Sequence, residues 1–179
     1  VQGVGHVGEY LVKHLVDAGA KVIITDISAD RVNELVNRYP GKVTDVKPED
    51  IYDVDMDIYS PCALGATVND STIDRLKCSI IAGAANNQLA DEQKHGQILI
   101  EKGIHYAPDF LINAGGLINV ASELDGYNKQ RVMADVEKIY QRTLDIYNLA
   151  SAENIPTQKA AILMAEKRIA SIAILNSRL

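Results

Sequence analysis

Short apolar runs alternate with longer amphipathic stretches along the first two thirds of the chain. The short runs are rich in β-branched residues and predict buried strands. They lie at residues 21–25, 56–59, 79–82 and, with a weaker pattern, 104–107. The stretches between them predict helices at 7–18, 29–39, 70–77 and 91–102. Strands and helices that alternate at this spacing indicate βαβ units, so we expect an α/β fold with a doubly wound parallel sheet.

Glycines punctuate the start of this pattern. Gly3, Gly5 and Gly8 have the spacing GxGxxG and stand between a strand stub at residues 1–2 and the first predicted helix. In that context the first glycine permits a tight turn, the second lets a pyrophosphate approach, and the third lets the helix pack closely. The free N–H groups of the helix N-terminus then receive phosphate oxygens. The sequence therefore predicts a dinucleotide-binding turn of the Rossmann type.

An acidic residue follows the next predicted strand. Asp26 would accept hydrogen bonds from the ribose hydroxyls of adenosine and would repel a 2′-phosphate, which predicts NAD rather than NADP as the cofactor. Arg31 stands close enough in the sequence to weaken this preference, but we expect it on the exposed side of the following helix.

Three later segments fall at the carboxyl ends of predicted strands, where open parallel sheets bind ligands. Residues 61–65 (PCALG) are small, residues 84–88 (AANNQ) carry amides, and residues 108–116 (PDFLINAGG) place an amide before two glycines. Each segment alone is also compatible with an ordinary turn. Their coincidence at successive strand ends favours one shared site.

The pattern changes after residue 113. Helices are expected after the glycines of 113–124, at 128–153 and from about 157 to 176, with no further strand. We therefore divide the chain into a dinucleotide-binding domain, residues 1–125, and a helical extension, residues 126–179.

Composition narrows the class of function. The 179 residues are 47% hydrophobic, and the formal net charge of −6 is unfavourable for a nucleic-acid-binding face. No run approaches the ~18 apolar residues of a membrane span, and no signal-peptide pattern is present, so we expect a cytoplasmic protein. Cys62 and Cys78 are expected to be reduced thiols, and the four scattered histidines match no metal site.

Four motifs carry a resemblance to a known family. They are GVGHVG at 3–8, DIYSPCALG at 57–65, AGAANNQL at 82–89 and YAPDFLINAGGLINV at 106–120. In their order along the whole chain they resemble the cofactor-binding half of the glutamate/leucine/phenylalanine/valine dehydrogenase family, and they look most like its leucine-specific members. The resemblance implies reversible, NAD-dependent oxidative deamination of an L-amino acid to a 2-oxo acid and ammonia.

The resemblance also implies roles for individual residues. The expected pyrophosphate-binding residues are Gly3, Val4, Gly5, His6, Val7 and Gly8. The expected adenosine-side residues are Asp26, Ile27, Cys62 and Ala63. The expected nicotinamide-side residues are Ala84, Ala85, Asn86 and Asn113.

Leu117 and Val120 match positions that line the substrate's side-chain pocket in the leucine-specific members. Their aliphatic character favours a branched-chain substrate, leucine first. Valine, isoleucine and phenylalanine stay open, because one methylene changes specificity by only ~1–3 kcal/mol. The family resemblance further implies a homo-oligomer.

One part of the family pattern is missing. The family's chemistry depends on lysines and an aspartate in a separate amino-terminal domain with a glycine-rich, lysine-bearing segment, and nothing in residues 1–179 resembles it. We therefore expect a cofactor domain cut inside its first strand, with no catalytic residues, no turnover by itself, and a helical extension that packs toward the missing domain. Two alternatives are an NAD(H)-sensing regulatory domain without catalysis and the Rossmann domain of an unrelated dehydrogenase.

Overall fold

A computed structural model describes residues 1–124 and 126–176 of the chain. Its strands are β1 (Val22–Ile24), β2 (Val43–Asp45), β3 (Ile58–Tyr59), β4 (Ile80–Ile81) and β5 (His105–Tyr106). Its α-helices are α1 (His6–Asp17), α2 (Ala29–Arg38), α3 (Glu92–Glu101), α4 (Asp109–Ile112), α5 (Gly115–Leu124), α6 (Lys129–Glu153) and α7 (Thr157–Asn176). A 3₁₀ turn covers Ile51–Asp53.

The strands form one parallel sheet, because residues 1–3 lie between its two halves and pair with both. β1 pairs with β2, and β3, β4 and β5 pair in that order, all parallel. Gln2 forms parallel bridges to Thr25 on one side and to Pro61 on the other. The order across the sheet is therefore β2, β1, residues 1–3, β3, β4, β5. This is the order of a doubly wound dinucleotide-binding sheet, and the expected α/β fold class is confirmed.

Backbone hydrogen bonds fix residues 1–3 from both sides. The N–H of Gly3 donates to the carbonyl of Thr25 (2.7 Å), and the N–H of Gln2 donates to the carbonyl of Ser60 (2.9 Å). The Gln2 side chain adds a third connection, because its Nε2 donates to the Tyr52 hydroxyl (2.9 Å) and its Oε1 accepts from the Tyr59 hydroxyl. The two halves of the sheet are thus joined by the residues that lead into the glycine turn.

A separate hydrophobic core packs against each half of the sheet. The first contains buried residues of α1, β1, α2 and β2, among them Val12, Ile24 and Leu35. The second contains buried residues of β3, β4, β5 and α3, among them Ile81 and Leu99. The strand residues that face these two cores are apolar, as expected for a parallel sheet covered by crossover helices.

The predicted helix at 70–77 is wrong. Residues 70–75 form turns, and local side-chain hydrogen bonds explain why. The N–H of Ser71 donates to Oδ1 of Asn69 (2.9 Å), and Oγ1 of Thr72 donates to the carbonyl of Thr67 (2.6 Å). Side chains of this kind compete with the helical hydrogen-bond pattern and stabilise turns instead.

Two further elements were not expected. β2 has only one buried residue, Val43, so its sequence lacks the alternation that marks a strand. α4 is a single turn directly before Asn113, and α5 already begins at Gly115 rather than after the glycine pair. The remaining strands and long helices are found at the expected places, the strands with shorter bounds.

The helical extension has its own small core. Ile146 and Ala150 of α6 pack against Ala160 and Ala161 of α7, and Leu111 of α4 contacts the same cluster. Asn128 caps α6, since its Oδ1 accepts from the N–H of Arg131 (3.0 Å). After β5 the described residues contain no strand, and none of their helices is long and apolar enough to cross a membrane.

The Gln2 connection yields a stability prediction. Gln2→Ala should lower the free energy of unfolding by roughly 1–3 kcal/mol, because it leaves the fully buried Tyr59 hydroxyl without its acceptor. Tyr59→Phe in the same background should recover part of the loss. Urea unfolding of the single and double variants measures both effects, with the exposed Gln93→Ala as control. Strictly additive losses would contradict the coupling.

Candidate functional site

The glycine turn contains glycines of two kinds. Gly3 has φ +98°, and a Cβ built on it would lie 2.5 Å from Cβ of Ala63. A Cβ on Gly8 would overlap the carbonyl oxygen of Gly3. Packing and backbone conformation therefore require both. Gly5 differs, because a Cβ there would meet only Nη1 of Arg31, at 3.8 Å. Packing among the described residues therefore does not require Gly5.

The turn opens directly into α1. Gly5 is the N-cap residue, and it provides no side-chain cap to the N–H groups of the first helical turn. His6 and Val7 lie in that turn with exposed side chains, while Val4 and Gly8 are buried. An uncapped helix N-terminus beside an open glycine offers N–H donors and positive potential to an anion.

Asp26 is attached to this turn by its carboxylate. Oδ2 accepts from the N–H of Val4 (2.7 Å), and Oδ1 accepts from the N–H of Ser28, the residue that caps α2 (2.9 Å). The side chain is half-buried and held in place, and each oxygen keeps a further lone pair for another donor. Ile27, next to it, is 97% exposed and offers an apolar surface beside the carboxylate.

Residues 61–65 lie between the glycine turn and residues 84–88, which we call the asparagine-rich loop. Ala63 contacts Gly3, and a Cβ on Gly8 would lie 3.7 Å from Cβ of Cys62. On the other side, the N–H of Ala85 donates to the carbonyl of Pro61 (3.0 Å). The segments expected at successive strand ends are thus contiguous.

The Cys62 thiol is half-buried, and burial raises its pKa. Burial also raises the pKa of Cys78, and both cysteines are free thiols as expected. Cys62 therefore contributes a small neutral surface to the site rather than a thiolate nucleophile.

Gln88 and Asp109 hold the asparagine-rich loop in shape. Nε2 of Gln88, which is fully buried, donates to the carbonyls of Gly83 (2.6 Å) and Ala85 (2.9 Å). Its backbone N–H donates to Oδ2 of the buried Asp109 (3.2 Å). The sequence does not distinguish these polar side chains from ligand-binding ones. In the structure, Gln88 and Asp109 form hydrogen bonds to backbone groups of the loop, and these bonds hold the neighbouring loop residues in position.

Asn86 and Asn113 are brought together across two loops. Nδ2 of Asn113 donates to Oδ1 of Asn86 (2.6 Å) and, more weakly, to the carbonyl of Ala84 (3.4 Å). Asn86 is exposed and Asn113 is half-buried. The pair leaves Nδ2 of Asn86 as a donor and Oδ1 of Asn113 as an acceptor at the edge of the site.

Beyond Asn113, α5 carries the two expected pocket residues. Leu117 is 72% exposed and Val120 is 61% exposed. A separation of three residues places them on one face of the helix. Large aliphatic side chains with this exposure are available to an apolar group from outside the described core.

Arg31 lies on the exposed side of α2, as the sequence predicts. Its guanidinium nevertheless reaches the glycine turn, with Nη1 3.8 Å from a Cβ built on Gly5. Arg31 lies in the first turn of α2, which begins just beyond Asp26, and this brings its long side chain near Gly5.

Comparisons with known proteins identify a family for this chain. A model of the family described as glutamate/leucine/phenylalanine/valine dehydrogenase matches residues 24–175. The chain is 54% identical over 169 residues to leucine dehydrogenase from Thermoactinomyces intermedius, covering 94% of this chain and 45% of that protein. It is 52% identical over 178 residues to leucine dehydrogenase from Bacillus cereus, covering 99% and 47%.

Among solved structures, L-tryptophan dehydrogenase from Nostoc punctiforme superposes with a TM-score of 0.91 at 44% identity. That match covers 95% of this chain and 51% of the other. The chain spans about half the length of the curated relatives it matches.

The two kinds of glycine yield opposite mutational predictions. Gly8→Ala should destabilise the fold by several kcal/mol or prevent folding, because its methyl group collides with the backbone at Gly3. Gly5→Ala should lower the melting temperature much less, because only the N-cap preference for glycine over alanine is lost, but it should weaken dinucleotide binding at least tenfold. Thermal unfolding and NADH fluorescence titration measure the two effects. Unchanged NADH affinity in Gly5→Ala would contradict a ligand at this glycine.

Proposed function

This chain belongs to the glutamate/leucine/phenylalanine/valine dehydrogenase family, and on that premise we propose that it is the NAD-binding part of an amino-acid dehydrogenase. The reaction is reversible oxidative deamination of an L-amino acid to the 2-oxo acid and ammonia. The observation that carries the proposal is the open Gly5 at the uncapped start of α1, beside a carboxylate fixed by the same turn.

NAD is the proposed cofactor, and when bound it supplies the hydride acceptor of the reaction. Residues 3–8 hold the pyrophosphate, since free helical N–H groups there meet an open glycine beside the fixed carboxylate of Asp26. Asp26 accepts from the adenosine ribose hydroxyls, and its negative charge opposes a 2′-phosphate. Ile27, Cys62 and Ala63 form the apolar surroundings of the adenosine.

The nicotinamide half of the cofactor is assigned to the loops after β4 and β5. Ala84, Ala85 and Asn86 border the nicotinamide ribose in this proposal, and Asn113 lies next to the reacting end. The Asn86–Asn113 pair supports it, because one free donor and one free acceptor suit hydroxyl and carboxamide groups. Gln88 keeps these groups in position without touching the ligand.

The proposed substrate is a branched-chain L-amino acid, with leucine first. Leu117 and Val120 present aliphatic surface on one face of α5, directly after the segment that contains Asn113. Apolar contact with them favours a hydrophobic side chain over a charged one.

The groups that move the amine proton are proposed to lie outside these residues. The lysines with ion pairs in the structure, Lys13, Lys94, Lys102 and Lys138, pair with surface aspartates and not with the site. We therefore expect residues 1–179 alone to bind NAD weakly and to turn nothing over. In the complete cytoplasmic enzyme, the helical extension packs toward the catalytic domain, and exposed apolar residues of α6 and α7, such as Tyr140 and Ile169, help to build a homo-oligomer.

Cofactor preference provides the first test. NADH should bind more tightly than NADPH, and Asp26→Asn should weaken NADH binding by about tenfold and narrow the difference, because it removes the charge that recognises the ribose and repels the 2′-phosphate. Fluorescence titration measures both affinities. Asp30→Asn, an exposed change in the first turn of α2, is the matched control. Equal affinity of the unaltered protein for NADH and NADPH would refute the role of Asp26.

Substrate recognition provides the second test. In the complete enzyme, Leu117→Ala should lower kcat/KM for L-leucine by about tenfold or more, because three carbons of apolar contact are lost. The loss for phenylalanine should be smaller, since a larger pocket accepts the ring. Leu124→Ala, two turns further along α5 and 89% exposed, is the control. Equal losses in the two variants would argue against a pocket at Leu117.

A further inference from the structure

Arg31 carries a charge that the fold itself does not use. Within the described residues no hydrogen bond or ion pair of Arg31 is found, whereas Arg38, on the same helix, pairs with both Glu9 and Glu34. The guanidinium of Arg31 therefore keeps all its N–H donors for a group from outside the described residues.

The guanidinium lies near Gly5, the one glycine of the turn that packing leaves open. Apart from its neighbours in the chain, Nη1 of Arg31 is the one atom of the described residues within 4 Å of a Cβ built on Gly5, at 3.8 Å. Among the described residues no ion pair joins Arg31 to the nearby Asp26, whose two carboxylate oxygens accept from the N–H groups of Val4 and Ser28. The arginine thus leans toward the start of α1, not toward the ribose-binding carboxylate.

This arrangement places two sources of positive potential near one small volume. One is the start of α1, whose free N–H groups form the positive end of the helix dipole, and the other is the guanidinium of Arg31. Arginine presents its N–H donors in a planar fork that matches phosphate oxygens. A diphosphate is the part of a dinucleotide that fits a site with these donors.

We infer that Arg31 binds the pyrophosphate of the dinucleotide, as a cofactor-binding residue in addition to the glycine turn. The inference rests on the proposed function, since it takes the ligand at Gly5 to be a dinucleotide. Arg31 strengthens the binding of either dinucleotide, while Asp26 alone sets the preference between them.

Titration of the protein that carries this chain with NADH, followed by fluorescence, tests the assignment. Arg31→Ala should weaken NADH binding by about tenfold at low salt, as the loss of one charge-assisted hydrogen bond predicts. NADPH binding should weaken by the same factor, so that the ratio of the two affinities is unchanged. Arg31→Lys should restore part of the affinity, and the difference from the unaltered protein should shrink as salt is added.

The control is Lys42→Ala, which removes one exposed positive charge beside β2 and away from the turn. Thermal unfolding should be the same for all these proteins, because Arg31 has no partner to lose. NADH affinity that is unchanged in Arg31→Ala overturns the inference and leaves the proposed function standing. A loss confined to NADPH also overturns it, since that result assigns Arg31 to the 2′-phosphate. Failure of the unaltered protein to bind NADH overturns the proposed function and this inference with it.

Discussion

The pairing of residues 1–3 with a strand on either side is the constraint on which the rest of the site depends. One side of this segment bonds to Thr25 and the other to Ser60, so the sheet positions Gly3 before any helix contributes. The same pairing sets Asp26 and Cys62 on the two flanks of the turn, because each follows a strand directly paired with the segment. The relative positions of Gly3, Asp26 and Cys62 thus follow from the register in which residues 1–3 pair with the two neighbouring strands.

Hydrogen bonds to buried backbone carbonyls then fix the loops that follow β4 and β5. The carbonyls of Gly83 and Ala85 would be left without donors inside the protein if Gln88 did not reach back to them. Buried polar groups without partners are costly, so the loop has few alternatives to the observed conformation. Asn86 and Asn113 meet on loops whose backbone is already fixed by these hydrogen bonds. A binding site built in this way avoids the entropic cost of ordering its residues when a ligand binds.

The sequence predicts the parts of this structure that have a periodic or a steric signature. The long helices are predicted by the spacing of their apolar residues. The structural need for glycine at Gly3 and Gly8 is predicted by the GxGxxG spacing, because a turn and a close helix contact at these positions leave no room for a side chain. The failures have physical reasons as well. Asn69 and Thr72 hold a turn through side-chain bonds that no periodicity reveals, and Gln88 resembles a ligand-binding amide until its partners are known. The sequence predicts that Arg31 lies on the exposed side of its helix, but it does not predict that the long side chain brings the guanidinium near Gly5. The roles of the individual site residues toward a cofactor stay predictions.

The difference between Gly5 and its two neighbours has a consequence for how such a protein would change over generations. Selection for a stable fold alone would keep Gly3 and Gly8, because a methyl group at either position strains the backbone or the packing. It would act less strongly on Gly5, where a small side chain has room and only the N-cap preference for glycine would be lost. Under the proposed function, a descendant that had lost its ligand would therefore keep the spacing of the turn at two of the three positions, and the middle glycine would change first.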